Sequence, residues 1–243
     1  MDFSGKRIWI VGASSGIGQT LARELSRRGA LLVLSARSVE PLETLARELG
    51  QGEVVPVDIS DPESLDDARA EILASGKLDA MITTAALYDP GHVDQIERDS
   101  ARKLVEVNLL GTLWFAQAAK GLLREGGQLV LFGSVAGYFG LPKGQLYSAS
   151  KAAVINLVES LRVEYAPEID VRLISPGFVN TRLTEKNDFD MPFVMEPDAA
   201  ARRIADGLAG TAFETHFPRR LTWGLKLLQR LPYRLSLWLT GRM

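Results

Sequence analysis

With 243 residues, 46% of them hydrophobic and 24% charged, and a net charge of −2, the chain has the size and balance of one large water-soluble α/β domain, with no basic excess to suggest a nucleic-acid partner. It contains no cysteine, which excludes disulfides, thiolate catalysis and Cys-based zinc sites, and its only histidines, His92 and His216, are too few and too far apart for a multi-histidine metal centre. No basic-then-apolar leader opens the sequence and no run of about 18 apolar residues interrupts it, so neither a signal peptide nor a spanning helix is expected, and the expected location is the cytoplasm.

The first strand is RIWIV, residues 7–11, and it runs directly into GASSGIG, residues 12–18. Gly12 permits a tight turn, Gly16 lets backbone approach a pyrophosphate, and Gly18 lets the following helix pack close to the sheet, with Ser14, Ser15 and Ile17 completing the loop. A helix predicted over Gly16–Arg28 would turn its free N–H groups and positive dipole end toward phosphate. A glycine trio can also be a plain strand–helix turn; its place after the first strand of an alternating chain favours the nucleotide. The second strand, ALLVLS, ends without an acid at Ser35 or Ala36 and is followed by Arg37. A guanidinium there suits a ribose 2′-phosphate, hence NADP(H), whereas an acid would suit the 2′-hydroxyl of NAD; the alternative is a solvated loop arginine.

A helix over Val39–Leu49 leads to a third strand, EVVPV, ending at Asp58 and Ile59. Asp58 could bond an adenine amino group or cap the helix expected at Pro62–Ala74, and both readings stand. The fourth strand, DAMITT, is followed by a long helix over Arg98–Arg124, then the strand QLVLFG and a helix over Gln145–Tyr165. In that helix Tyr147 and Lys151 lie four apart and share a face. Taken alone the pair says little, since both residues are common on exposed helices. The strand DVRLIS closes the regular alternation; near-continuous apolar strands joined by helices imply a doubly wound parallel sheet, a Rossmann fold. The polar, aromatic-flecked stretch 180–197, a helix from Asp198 and a last short strand, FETHF, complete the domain at residue 218.

In this order, GxxxGxG after the first strand, the Asn in VNLLGT, the Ser in LFGSVAG, YxxxK and PGFVNT resemble a short-chain dehydrogenase/reductase over residues 6–181. The resemblance implies an NADP(H)-dependent oxidoreductase acting on a carbonyl or secondary alcohol, working as a homodimer or homotetramer. It implies a catalytic set of Asn108, Ser134, Tyr147 and Lys151. Tyr147 would be the general acid/base, Ser134 would orient the substrate oxygen, and Asn108 would anchor a water linking Lys151 to solvent. Lys151 would hold the nicotinamide ribose and lower the tyrosine pKa, which is near ~10 when free. Pro176 and Gly177 would turn over the nicotinamide, Val179 and Thr181 would bond its carboxamide, and Thr84 and Ala85 would pass beside the adenosine. The chain departs from the family at TTAA, Thr83–Ala86, where Asn-Asn-Ala-Gly is usual; Ala86 then requires a backbone without positive φ.

Residues 219–243 form a basic, leucine-rich extension with six cations (Arg219, Arg220, Lys226, Arg230, Arg234, Arg242) and no acid, so the rest of the chain carries −8. On a helical wheel Thr222, Lys226, Gln229 and Arg230 share one side, and Leu221, Leu225, Leu227, Leu228 and Leu231 the other, with Pro232 expected to split the segment. That suits either an interfacial helix on anionic lipid, peripheral to the inner face of a membrane, or a helix packed on the domain or on a second subunit. The loop Leu183–Met195, with Phe189, Met191, Phe193 and Met195, and the extension are expected to shape a pocket for an apolar, lipid-like substrate. A small soluble ketone and a non-catalytic nucleotide sensor are the competing readings.

Overall fold

Alternate residues of the first strand, β1 (Arg7–Val11), enter two different cores: Trp9 and Val11 one, Ile8 and Ile10 the other. A strand apolar on both faces must be covered on both. The computed structural model, which describes residues 1–186 and 191–241, shows how. Strands β2 (Leu31–Ser35), β3 (Glu53–Val54), β4 (Leu78–Thr83), β5 (Leu123–Phe132), β6 (Ile169–Pro176) and β7 (Glu214–Phe217) join β1 in one parallel sheet of order β3-β2-β1-β4-β5-β6-β7. Helices α1 (Gly16–Arg27), α2 (Val39–Leu49) and α7 (Pro197–Ala209) supply apolar residues to the core on one face. Helices α3 (Pro62–Ala74), α5 (Gly111–Leu122) and α6 (Gln145–Glu164) supply the other. The strand order reverses between β1 and β4, and the crevice beyond their carboxyl ends is where this architecture binds ligands.

The expected strands and helices are present, with three differences. The third strand shrinks to two residues because Pro56 has no N–H; Val55 and Val57 still donate to Leu34 and Ala36. The long helix expected over Arg98–Arg124 is three pieces: α4 (Arg98–Val105), a π-helical turn Glu106–Leu110, and α5. It ends early because Gly121 takes φ 97°, and β5 starts at Leu123 instead of Gln128.

The extension is two helices, α8 (Arg219–Arg230) and α9 (Tyr233–Thr240), broken at Leu231-Pro232. Its inner side packs on the domain: Leu225 and Leu228 form a cluster with Val135 and Tyr138, joined by Phe139, Leu141, Leu221, Leu231 and Leu239. The expected wheel is rotated. Thr222 is fully buried, its hydroxyl 2.7 Å from His216 Nδ1 and donating to Arg219 O, while Leu227 is 64% exposed. A threonine whose hydroxyl is satisfied locally can enter the contact, which turns Leu227 outward. Arg242 lies outside the described residues.

Candidate active site

The crevice above β1 and β4 is a cleft of about 400 Å³, and it gathers most of the expected nucleotide-binding residues: Gly12, Ser14, Ser15, Gly16, Ile17, Gly18, Arg37, Asp58, Ile59, Thr84, Ala85 and Thr181. The glycine turn fits a dinucleotide for a steric reason. A Cβ on Gly18 would lie 2.1 Å from the Gly12 carbonyl oxygen, so only glycine lets α1 start this close to β1. Ser15, the N-cap of α1, makes no side-chain cap bond, so the first-turn N–H groups face the cleft free for an anion.

Thr84 takes on work that an amide would do at this position. Its hydroxyl donates to the carbonyls of Val11 and Gly12, each at 3.2 Å, and so ties the end of β4 to the glycine turn. Ala86 is not among the described non-glycine residues with positive φ, which are Lys143 and Phe193, so alanine fits there without strain. Asp58 does not cap α3; Asp61 does, accepting from the Glu63 N–H at 3.0 Å. Asp58 Oδ1 instead accepts from the Ser60 N–H and hydroxyl at 2.9 and 2.6 Å and faces the cleft beside the charge of Arg37. Burial opposes its charge, but those bonds and Arg37 prevail and hold its carboxyl below the ordinary value. Two further cations on the wall, Arg182 and Lys186, belong to the polar stretch after β6 and had no motif to mark them. Lys186 Nζ reaches across to the Tyr88 carbonyl at 2.9 Å.

A second cavity of about 140 Å³ shares Ile17, Thr84, Tyr88, Thr181 and Leu183 with the first and continues it. Ser134, Tyr147 and Lys151 all line it, together with Pro176, Gly177 and Val179. Its other walls are largely apolar, including Phe132, Leu141, Pro142 and Phe178. The expected contributors Met191, Phe193 and Met195 are not among the described residues lining either cavity, Phe193 being 52% exposed; Phe189 lies outside the described residues. Of the loop after β6, Leu183 and Thr184 line this cavity, and the Thr184 hydroxyl fixes the turn by donating to Val179 O at 2.6 Å.

Tyr147 stands edge-on to Tyr88, ring centres 4.8 Å apart, and Lys151 Nζ lies 5.9 Å from the Tyr147 ring while donating to Phe132 O at 2.8 Å. The expected depression of the tyrosine pKa by the lysine is outweighed by burial. Removal from water pushes Tyr147 up to about 12, against a lowering hydrogen bond from Ser134, and pushes Lys151 down to about 8. Desolvation penalises each charged form more than one neighbour restores it.

Asn108, fully buried in the π-helical turn, spends its amide on structure. It accepts from Leu87 N at 2.7 Å and donates to Leu87 O at 2.9 Å and to Ser150 Oγ at 3.2 Å. Ser150 in turn donates to Tyr147 O at 2.7 Å, so Asn108 ties α6 to the loop after β4.

The extension, expected to shape the pocket, contributes no described residue to the lining of either cavity; it is tied to the elements around the site through Glu214. Glu214 accepts from Ser175 at 2.7 Å and also from Tyr138 and from Lys226 of α8. One carboxylate thus joins β6 before the Pro176-Gly177 turn, the loop after Ser134, and α8. A Cβ on Gly177 would meet Pro218 Cδ at 2.9 Å and Leu221 Cδ2 at 3.1 Å, so this glycine is the floor on which the extension starts.

Residues 6–191 match a protein family described as short chain dehydrogenase. The chain is 35% identical over 193 residues to 11-beta-hydroxysteroid dehydrogenase A of Sesamum indicum, an alignment covering 76% of this chain and 55% of that protein. It therefore spans little more than half of that relative's length. It is 34% identical over 238 residues to 11-beta-hydroxysteroid dehydrogenase-like 4A of Arabidopsis thaliana, covering 90% of this chain and 80% of the other. Among solved structures, a short chain dehydrogenase from Burkholderia cenocepacia J2315 in complex with NADP superposes with a TM-score of 0.85 at 26% identity, over 98% of this chain and 99% of that one.

Proposed function

The chain belongs to the short-chain dehydrogenase/reductase family, and from that premise we propose that it is an NADP(H)-dependent oxidoreductase exchanging hydride with a carbonyl or secondary alcohol of an apolar compound. The observation that carries the proposal is the convergence of Ser134, Tyr147 and Lys151 on one largely apolar cavity continuous with the dinucleotide-shaped cleft. Arg37, which follows a second strand that ends without an acid at Ser35 or Ala36, supports the phosphorylated cofactor, as does the NADP in the similar Burkholderia structure.

Gly12, Gly16 and the N-terminus of α1 would hold the pyrophosphate, Arg37 the 2′-phosphate, Asp58 with Ile59, Thr84 and Ala85 the adenosine side, and Pro176, Gly177, Val179 and Thr181 the nicotinamide side. When bound, NADPH supplies the hydride to the carbonyl carbon. Ser134 and the Tyr147 hydroxyl hydrogen-bond the carbonyl oxygen and orient it. Tyr147, whose phenol is protonated at neutral pH, gives its proton to that oxygen as negative charge develops, and in the reverse direction recovers it. Lys151, buried beneath, lies where it can stabilise the phenolate left behind.

The lining of Phe132, Leu141, Pro142 and Phe178 supports an apolar substrate, and relatives named for hydroxysteroid dehydrogenation agree in class. The modest volume favours a second reading, a small soluble ketone. Following NADPH oxidation by the purified protein across ketones of rising chain length and ring number separates them. Turnover efficiency rising with apolar size is expected; a maximum at three- or four-carbon ketones would establish the second reading, and no turnover with any carbonyl would overturn both.

A further inference from the structure

We propose that the outward face of α8 and α9 seats the protein on an anionic lipid bilayer beside the substrate cavity. The inner side of both helices is already used. Leu225 and Leu228 face the domain, and α9 turns Ser236 and Thr240 inward, their hydroxyls bonded to carbonyls of its own helix. What remains outside is the reverse of a solvated face. Trp223, Leu227, Tyr233, Leu237 and Trp238 are each more than half exposed, at 63%, 64%, 79%, 58% and 54%, with Leu235 at 45%.

Around them stand Arg219, Arg220, Arg230 and Arg234, all exposed, with no acid in residues 219–241 and no ion pair to any of the four among the described residues. Lys226, the fifth described cation, is the one turned inward, to Glu214. Indole and phenol rings flanked by arginines match the headgroup boundary, where apolar bodies are buried and polar tips stay wet. Each cation held at an anionic surface raises partitioning by roughly fivefold. The remainder of the chain, at −8, is repelled by the same surface, so attraction and repulsion together fix one orientation.

Neither helix can cross the membrane: at 12 and 8 residues they reach about 18 and 12 Å. They lie along it. A second copy of the chain is a poorer occupant, because a two-fold contact through this face would bring the arginines of both copies together with no acid to receive them. Leu141 lines the substrate cavity and also packs on the extension's cluster with Leu221, Leu231 and Leu239, and Gly177 lines the cavity and floors α8. Val135 does the same, lining the cavity and packing on Leu225 and Leu228, so an apolar substrate dissolved in the bilayer has a short transfer. This last step rests on the proposed oxidoreductase reading; bilayer binding does not.

The test uses the full chain and vesicles of phosphatidylglycerol or of phosphatidylcholine alone. Sedimentation with the first at low salt, release as salt rises, and little binding to the second are expected. Leu227→Ser with Leu237→Ser should weaken sedimentation at least tenfold without lowering Tm or the rate on a soluble ketone, since both side chains are more than half exposed and neither joins the cluster that packs α8 on the domain. Arg220→Glu with Arg230→Glu should abolish it. Failure of the unaltered protein to sediment with phosphatidylglycerol at low salt overturns the proposal. So does a fall from dimer to monomer in light scattering of the Leu227/Leu237 variant, which would give the face to a second copy. A further arm offers a long-chain ketone embedded in the vesicles. Binding without its reduction leaves the surface in place and defeats only the apolar-substrate reading.

Discussion

Tyr147 and Lys151 suffer the same loss of water with opposite consequences: the phenol holds its proton up to about 12 and the ammonium releases its proton near 8. Between pH 8 and the ordinary lysine value of 10.5 the unfolded chain binds a proton at residue 151 that the folded chain does not. Stability therefore rises with pH across that window, by up to roughly 3 kcal/mol from this group alone. Lys151→Met should flatten the rise, and urea midpoints with the same slope in both proteins between these pH values would contradict the assignment. Tyr147→Phe keeps the ring and removes the proton. It should lower kcat about 10²- to 10⁴-fold and leave NADPH affinity, read by cofactor fluorescence, within about threefold. Arg37→Ala addresses the other end of the cleft. A charge-assisted bond to a 2′-phosphate contributes roughly 1.5–3 kcal/mol, so NADPH should bind about ten- to a hundredfold tighter than NADH, and the substitution should erase most of that gap. Equal titration curves for the two cofactors in the unaltered protein would refute the choice.

Glu214, at the start of the last strand, carries the coupling between elements. Its carboxylate is mostly removed from water, which opposes charge, yet Lys226, Tyr138 and Ser175 together hold it below the ordinary glutamate value. Tyr138 is pushed well up, by burial first and by this carboxylate second. Lys226→Met leaves that charge with hydroxyl partners only. With side chains 29% and 16% exposed, the pair is partly screened, and a loss of about 1–3 kcal/mol is expected. Adding Glu214→Gln should restore part of it, because the buried charge goes as well. Urea denaturation of the two single variants and the double variant measures the coupling, and strictly additive losses would show that the two residues do not act as a pair. Burial of Leu225 and Leu228 against Val135 and Tyr138 packs α8 onto the sheet domain rather than leaving it an appendage.

Across the whole molecule, carboxylates fix the acid limit. Arg27, with Arg28, lowers Glu24; Asp170, despite burial, is lowered by Arg172 and Arg162; Glu214 is lowered as described. A folded pKa below the unfolded one adds stability that is complete above the ordinary values of 4.5 for Glu and 3.8 for Asp, and is lost as pH falls through the folded values. Burial also holds His216 below its ordinary 6.5, which brings a first decline of Tm below that pH; a steeper drop below about 4.5 should accompany the three protonations, and no further fall between about 4.5 and 3 would rule these pairs out as the source of acid stability. Added salt should soften the drop mainly through Glu24, whose partner Arg27 is 68% exposed.

The sequence by itself determined the parts that local chemistry dictates. Strands apolar on both faces required a covered parallel sheet, the glycine spacing after β1 required a close helix start, Pro232 required a break, and the order of Ser134, Tyr147 and Lys151 marked the residues that meet at one cavity. The third strand's shortening was also legible, in Pro56, and the early end of the long helix in Gly121. Only the tertiary structure decided what depends on surroundings. The pKa of Tyr147 follows from how much water the pocket excludes, which no spacing encodes. Asn108 is committed to Leu87 and Ser150 because the fold brings those partners to it, 21 and 42 residues away. Arg182, Lys186 and Tyr88 join the site through loops whose paths are set by contacts distant in sequence. The wheel of α8 placed Thr222 outward on polarity alone, whereas His216, brought alongside by β7, satisfies its hydroxyl inside and leaves Leu227 to face outward.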